Sequence, residues 1–339
     1  MIIYVGNIIS GHGKTATTIE TLGKLLQKEG FEVRLTSNKQ NKILRLLDML
    51  WTVFKHRKKL DYVLIDTYST TNFLYAYYVS KLCISLKIKY IPILHGGNLE
   101  ERLKHSKAKS EIIFKNAHVN VSPSLFLKTV FERYGYSNVQ HIPNNVELQE
   151  YPCKERSIIT AKLLWVRSFA EIYNPKLAVE VVHGLRQNGV EASLCMVGPR
   201  KDDSFEKTQQ LAKELQVNVT FTGRLTKKEW TELSAEYNIF INTTNFDNTP
   251  VSLIEAMALG MPIISTNVGG IPYLIEDEKE GILINPNRAS EMIFHIKKLI
   301  NSPDKVLELS QNGRKKAESF DWEIVKAQWK ELLSLAEKI

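Results

Sequence analysis

Tyr237-Asn-Ile-Phe-Ile-Asn242-Thr-Thr-Asn245-Phe-Asp247-Asn-Thr-Pro250-Val-Ser-Leu-Ile-Glu255-Ala-Met-Ala-Leu-Gly260-Met-Pro262 is a strand, a polar loop and a short helix in sequence. The apolar run Tyr237–Asn242 reads as a buried strand. The helix starts near Pro250, where a first-turn proline costs no hydrogen bond, and stops at Gly260, a natural C-cap. Glu255 then lies within the helix, about two turns beyond Asp247 in the loop. The helix N-terminus directs its amides into that loop, an arrangement suited to phosphate beside sugar hydroxyls.

The same strand–helix grammar extends in both directions. In the first half, strands are expected at Ile2–Ile8, Glu32–Thr36, Tyr62–Asp66, Tyr90–Leu94, Val119–Ser122 and Val139–Ile142. The clearest helices between them are Thr17–Glu29, Asn41–Lys58 and Leu125–Tyr134. A polar stretch to Ser157 reads as a linker. A second series follows at Lys162–Val166, Ala192–Val197, Val219–Thr222, Ile239–Asn242 and Pro262–Ser265, and the chain closes on a helix at Trp322–Glu337. The expected fold is α/β, with two Rossmann-like, doubly wound parallel-sheet domains facing a central cleft. The expected boundaries are 1–152, 158–320, and a terminal helix at 321–339 crossing back to the first domain.

The 339 residues and 43% hydrophobic content fit two soluble globular domains. Ile2-Ile3-Tyr4-Val5 reads as a strand, with no signal-peptide pattern behind it. No apolar run is long enough to span a bilayer: Phe73 to Leu94 is interrupted by Lys81, Lys87 and Lys89. Cys83, Cys153 and Cys195 fit neither a disulfide framework nor a zinc site, and read as small buried hydrophobes in a reducing cytoplasm. The net charge of +8 is uneven: residues 1–150 hold 21 Lys and Arg against 12 Asp and Glu, the rest 24 against 25. The first half therefore calls for an anionic partner: nucleic acid, a membrane surface or a phosphorylated substrate.

Candidate site residues sit where strands end. Gly6-Asn-Ile-Ile-Ser-Gly11-His-Gly13-Lys14 tempts a P-loop reading, but the glycine required five residues before Gly13 is Ile8. A glycine-rich turn still leaves amides for phosphate. His95 follows the strand Tyr90–Leu94. Arg167 follows Leu163–Val166, with a guanidinium fork that suits phosphate or carboxylate. Gly198-Pro199 and Gly223-Arg224 end the next two strands. The segment Asn41–Lys59 is apolar over more than one face and ends Lys55-His-Arg-Lys-Lys59. It reads either as an interfacial helix docking on anionic lipid or as a core helix with a solvated cationic end.

Taken in order, these residues resemble the retaining nucleotide-sugar glycosyltransferases of the GT-B fold, family four, of the bacterial polysaccharide type. The resemblance rests on Asp247…Glu255, Ala256-Met257-Ala258, Gly260-Met261-Pro262 and Gly269-Gly270-Ile271-Pro272. Leu164–Arg167, Val197-Gly198-Pro199, Phe221-Thr222-Gly223 and Ile142–Asn145 fall in family order around them. It implies that Glu255 holds the donor ribose hydroxyls, that Asp247 and His95 lie at the donor sugar, and that Arg167 binds the diphosphate, with His95, Arg167 and Asp247 as the catalytic set. Gly223, Arg224 and Leu225 would meet the base. Gly11, Gly13, Gly198, Asn248, Thr249, Val251, Ser252 and Lys176 would complete the donor site. No Asp-x-Asp pair occurs, and no metal or cofactor is expected.

Three positions depart from the family. Asp247 stands for its first glutamate, Pro250 for its glycine, and Tyr173 for its second basic residue, so that diphosphate binding would rest on Arg167 alone or recruit Lys176 or Lys201. The resemblance implies transfer from a nucleotide sugar, UDP-sugar favoured over GDP-sugar. The acceptor would be a glycan or lipid-diphosphate-linked molecule in cell-surface polysaccharide synthesis. The setting would be cytoplasmic, peripheral on the inner membrane face through the basic N-terminal domain. Two other readings compete: a sugar-nucleotide isomerase or epimerase on the same scaffold, and a basic nucleic-acid-binding module. The first lacks an obvious acid/base pair and the second lacks aromatic–basic interleaving, so no nucleic-acid partner is expected.

Overall fold

The computed structural model describes residues 1–9, 17–96, 98–156 and 160–334. They divide into two units: Met1–Pro143 together with the chain from Lys326 onward, and Asn144–Val325. The first runs β1 (Ile2–Val5), α1 (Thr18–Lys28), β2 (Val33–Thr36), α2 (Lys42–His56), β3 (Tyr62–Tyr68), α3 (Asn72–Leu86), β4 (Tyr90–His95), α4 (Leu99–His105), α5 (Lys107–Phe114), β5 (Asn120–Ser122), α6 (Leu125–Arg133) and β6 (Val139–His141). Its six-stranded sheet is parallel, in the order β2-β1-β3-β4-β5-β6. Every residue of β1 and β4 is buried, as continuous apolar strands covered on both faces must be. The interrupted apolar run from Phe73 resolves into α3 followed by β4.

The second unit runs β7 (Ala161–Val166), α7 (Pro175–Gln187), β8 (Ala192–Val197), α8 (Ser204–Glu214), β9 (Val219–Gly223), α9 (Lys227–Leu233), β10 (Ile239–Asn242), α10 (Val251–Ala258), β11 (Ile263–Thr266), α11 (Ile271–Leu274), β12 (Ile282–Ile284), α12 (Ala289–Ile300), α13 (Pro303–Glu318) and α14 (Trp322–Ser334). Its parallel sheet is ordered β12-β11-β10-β7-β8-β9. Alternate residues of β7 feed opposite faces: Leu163 and Trp165 enter one core layer, Leu164 the other. α14 is divided between the units after Val325, and its Lys326 lies 3.5 Å from Glu29 of α1.

Several expectations change. β1 ends at Val5 rather than Ile8, and β12 was not anticipated because its three residues carry too short a pattern. Pro250 is the N-cap of α10 rather than a first-turn residue. Residues 144–156, read as a linker, are packed into the second unit: Tyr151 and Arg156 are buried, and Arg156 donates 2.6 Å to the Ser234 carbonyl. That stretch looks like a linker because it is held through backbone carbonyls rather than an apolar period. Val146 donates to the Phe320 carbonyl and accepts from the Trp322 amide, each at 2.9 Å. Cys83 and Cys195 are buried, but Cys153 is exposed. Among the described residues, no helix is long and apolar enough to cross a membrane.

Candidate active site

The second sheet reverses its winding between β7 and β10, and a doubly wound sheet opens a crevice at the carboxyl ends of such a pair. Arg167 directly follows β7, and the loop from Thr243 to Pro250 follows β10. The Arg167 amide donates 3.0 Å to Val197, and a Cβ on Gly198 would overlap the Arg167 carbonyl. Gly198 therefore allows the backbone approach that aims Arg167. The side chain is fixed from two directions. Its Nη2 pairs with Asp247 Oδ2, and its guanidinium carbon lies 4.3 Å from the Tyr173 ring centroid. Tyr173 is itself tied to the β10 loop: Thr243 Oγ1 donates 2.9 Å to its carbonyl, and the Asn245 amide donates 2.8 Å to the Ile172 carbonyl. Arg167 Nε is buried, with no hydrogen-bond partner among the described residues. A buried guanidinium N–H left unmade is costly, so this position is suited to receive an acceptor atom.

The loop carrying Asp247 is shaped by two later glycines. The Gly270 amide donates 2.9 Å to the Asp247 carbonyl, and a Cβ on Gly269 or Gly270 would overlap the carbonyls of Asp247 and Asn248. Asp247 Oδ1 accepts 2.8 Å from the Asn248 amide. Asn248 is buried, while Thr249, Val251 and Ser252 are half-buried at the head of α10.

Glu255 is buried in the body of α10. Tyr151 donates 2.7 Å to its Oε1, and Lys227 Nζ stands 3.9 Å from the same oxygen. Burial pushes its carboxyl pKa up; the charge of Lys227, the Tyr151 hydroxyl and, more weakly, the charge of Arg167 oppose the shift. Burial, with the Glu255 charge second, pushes Tyr151 well above the ordinary phenol value, so it stays a donor. Gly223 closes β9, and its carbonyl accepts 2.8 Å from the Gly198 amide. Arg224 and Leu225 lead into α9, whose first residue is Lys227. Lys176 is the second residue of α7, three positions past Tyr173. Tyr151 and Lys227 escaped the sequence reading: one lies 104 residues from Glu255, the other in an ordinary exposed first turn.

In the first unit the winding reverses between β1 and β3. Asp66 on β3 accepts 2.8 Å from the Tyr4 hydroxyl and lies 2.7 Å from His95 Nε2, all three buried. Tyr68 stacks on the His95 ring at 4.8 Å between centroids. Gly6 clears the other carboxylate oxygen, since a Cβ there would come within 2.7 Å of Asp66 Oδ2. That oxygen is buried without a hydrogen-bond partner among the described residues. Asp66, Tyr4 and Tyr68 looked like ordinary strand residues in the sequence. Gly11 and Gly13 lie outside the described residues. Among the described residues, no group of three or more His, Cys, Asp or Glu is placed to hold a metal ion.

Residues 160–316 match the family model for glycosyl transferases group 1. The matched segment covers just under half of the chain. It includes Arg167, Asp247 and Glu255 and both glycine pairs around them. A protein from Haemophilus influenzae, described as an uncharacterized glycosyltransferase, is 28% identical over 142 residues, 42% of this chain. The chain spans 40% of that relative's length. Sucrose-phosphate synthase from Thermosynechococcus elongatus superposes with a TM-score of 0.80 at 15% identity, over 98% of this chain and 97% of its own. Anabaena HepE, solved in complex with UDP, gives 0.78 at 16% identity, over 98% and 99%. At these identities the likeness is one of fold: the two six-stranded α/β units are of GT-B type.

Proposed function

We propose that the chain is a retaining glycosyltransferase that uses a nucleoside-diphosphate sugar, a UDP-sugar in preference to a GDP-sugar. The acceptor in this reading is a glycan or a lipid-diphosphate-linked glycan of the cell surface, met at the inner face of the membrane. The observation that carries the reading is Arg167 at the β7–β10 reversal, clamped by Asp247 and Tyr173 with its Nε unpartnered. The group 1 domain match supports it. So do HepE, solved with UDP and with UDP-glucose, and a neighbour titled lipopolysaccharide outer core galactosyltransferase, at a TM-score of 0.72.

The chemistry follows the layout. As the anomeric C–O bond opens, negative charge grows on the departing diphosphate. A guanidinium already fixed in place stabilises that charge without reorganising. The α10 amides at Val251 and Ser252 add the positive end of a helix, and Lys176 adds a mobile cation. Glu255 accepts the two ribose hydroxyls as charge-assisted bonds, with Tyr151 and Lys227 keeping its carboxylate oriented. Asp247 attends the sugar. The acceptor hydroxyl oxygen bonds to the face the diphosphate leaves and gives its proton to the departing phosphate oxygen, which gives retention.

Incubation with a panel of UDP- and GDP-sugars, followed for nucleoside diphosphate release and for thermal shift, tests the reading. Release with at least one donor is expected. Neither release nor shift with any nucleotide overturns it.

A further inference from the structure

α2 carries apolar side chains on two opposed sides. Met49, Thr52 and Val53 are buried against the first sheet. On the other side, at helical spacing, Ile43 is 71% exposed, Leu44 56%, Leu47 56%, Trp51 62% and Phe54 41%. These five form one stripe along a helix roughly 22 Å long. A core helix needs one apolar side, and the fold has already used it. Isolated exposed apolar residues are ordinary, but a contiguous patch of several hundred Å2 marks an interaction surface.

The charges around the stripe identify its occupant. Lys42 stands at one end; Lys55, Arg57, Lys58 and Lys59, all exposed, stand at the other. Arg57 lies 4.2 Å from the Phe54 ring centroid, so cation and apolar stripe are continuous. The one acid on the helix, Asp48, is turned away toward Thr36, 3.3 Å from its hydroxyl. α3 packs beside α2, its Tyr75 hydroxyl donating 3.3 Å to the Lys42 carbonyl, and exposes Leu74 and Tyr78.

We propose that the outer face of α2 is a docking surface for an anionic lipid bilayer. The stripe lies in the headgroup–acyl boundary, and the flanking cations meet lipid phosphates. A second copy of the chain fits less well, because two such helices face to face would oppose cation to cation in either direction. Three of the five stripe residues, Ile43, Leu44 and Leu47, are aliphatic and offer nothing for nucleic-acid bases to stack on. The surface gives a physical site to the membrane setting of the proposed function and rests on that reading for its biological sense alone.

The test is cosedimentation of the full chain with vesicles of equal phosphatidylglycerol and phosphatidylcholine, against phosphatidylcholine alone. The wild type is expected to bind the anionic vesicles, less so as salt rises. Leu47→Glu with Trp51→Glu is expected to lower binding at least tenfold with unchanged circular dichroism, since both side chains are exposed. Lys55→Gln, Lys58→Gln and Lys59→Gln are each expected to lower it roughly fivefold, at about 1 kcal/mol per charge. Three results overturn the proposal: wild type indifferent to anionic vesicles, the glutamate double variant binding like wild type, or a solution dimer that the same double variant dissolves. Donor turnover measured on the same samples separates the two readings. Vesicle binding without turnover sinks glycosyl transfer alone, and turnover without vesicle binding sinks the docking surface alone.

Discussion

The Tyr173 ring centroid lies 4.3 Å from the guanidinium carbon of Arg167, at the position where the resembled family carries a second cation. An aromatic face in place of a charge holds the one strand-end arginine instead of adding to it. A cation over a ring contributes about 0.5–2 kcal/mol depending on desolvation. Tyr173→Ala is therefore expected to raise donor KM by about threefold to tenfold, and Tyr173→Phe, which keeps the ring, by less than twofold. Steady-state kinetics with the best donor of the panel checks both; equal losses in the two variants would show that the hydroxyl, not the ring, matters.

Asp247 pairs with the Arg167 guanidinium. Under the proposed function, donor phosphate competes with that carboxylate for the same guanidinium. Asp247→Asn removes that competition, so free nucleoside diphosphate should bind about threefold more tightly. If Asp247 also attends the sugar, kcat should fall by at least an order of magnitude, as loss of a charge that acts on the transition state does. Calorimetry with UDP and GDP, alongside kcat, checks the split. Weaker nucleotide binding in the variant would mean that Asp247 serves to position Arg167.

Glu255 ties stability to function through pH. Its folded pKa is raised above the ordinary 4.5, chiefly by burial. The folded protein thus holds the proton more tightly than the unfolded chain, and the stability this group contributes is lost as pH rises from 4.5 through its folded pKa. Glu255→Gln should accordingly match the wild type in melting temperature near pH 4 and exceed it at pH 8. Under the proposed function its donor affinity should fall by roughly 2–4 kcal/mol, since bonds from ribose hydroxyls to a charged acceptor would be lost. Tyr151→Phe removes a donor to the carboxylate, so the pH at which donor binding sets in should move upward. Melting curves and donor titrations between pH 4 and pH 8 test all three statements.

Gly198→Ala and Gly270→Ala place a methyl group against the carbonyls of Arg167 and Asn248. Neither carbonyl belongs to a flexible side-chain tip, so the loops must shift. A loss of about 1–3 kcal/mol in stability is expected, with donor turnover falling further than stability predicts at a temperature where both variants are folded. Chemical denaturation and kinetics at that temperature separate the two effects.

The fold was legible because its strands are short apolar runs with punctuated ends. Ala192–Val197 and Ile239–Asn242 match residue for residue, the first stopped by Gly198 and the second by a polar loop. β12 was not legible, having three residues and no period. The strand-end positions of Arg167 and Asp247, and the helical position of Glu255, could be read from spacing. Their partners could not. Tyr151 reaches Glu255 across 104 residues, Asp247 reaches Arg167 across 80, and Asp66 reaches His95 from a neighbouring strand. Such pairings arise from sheet order, and no local pattern announces them. The polar look of residues 144–156 misled for the same reason: its tyrosine and arginine find their partners only in the folded unit.

The Tyr151–Glu255 bond also bears on how such proteins exchange parts. The residues matching the family model begin at 160, which invites joining a foreign first unit to this chain at that point. A chimera cut there would leave behind the phenol that donates to Glu255, together with the Val146 rung that laces residues 144–156 to Phe320 and Trp322. The natural seam lies before Asn144. Recombination at that seam carries the second unit with Tyr151 and Glu255 still paired, so under the proposed function sugar specificity should travel with residues 144–156 as well as with the sheet they precede.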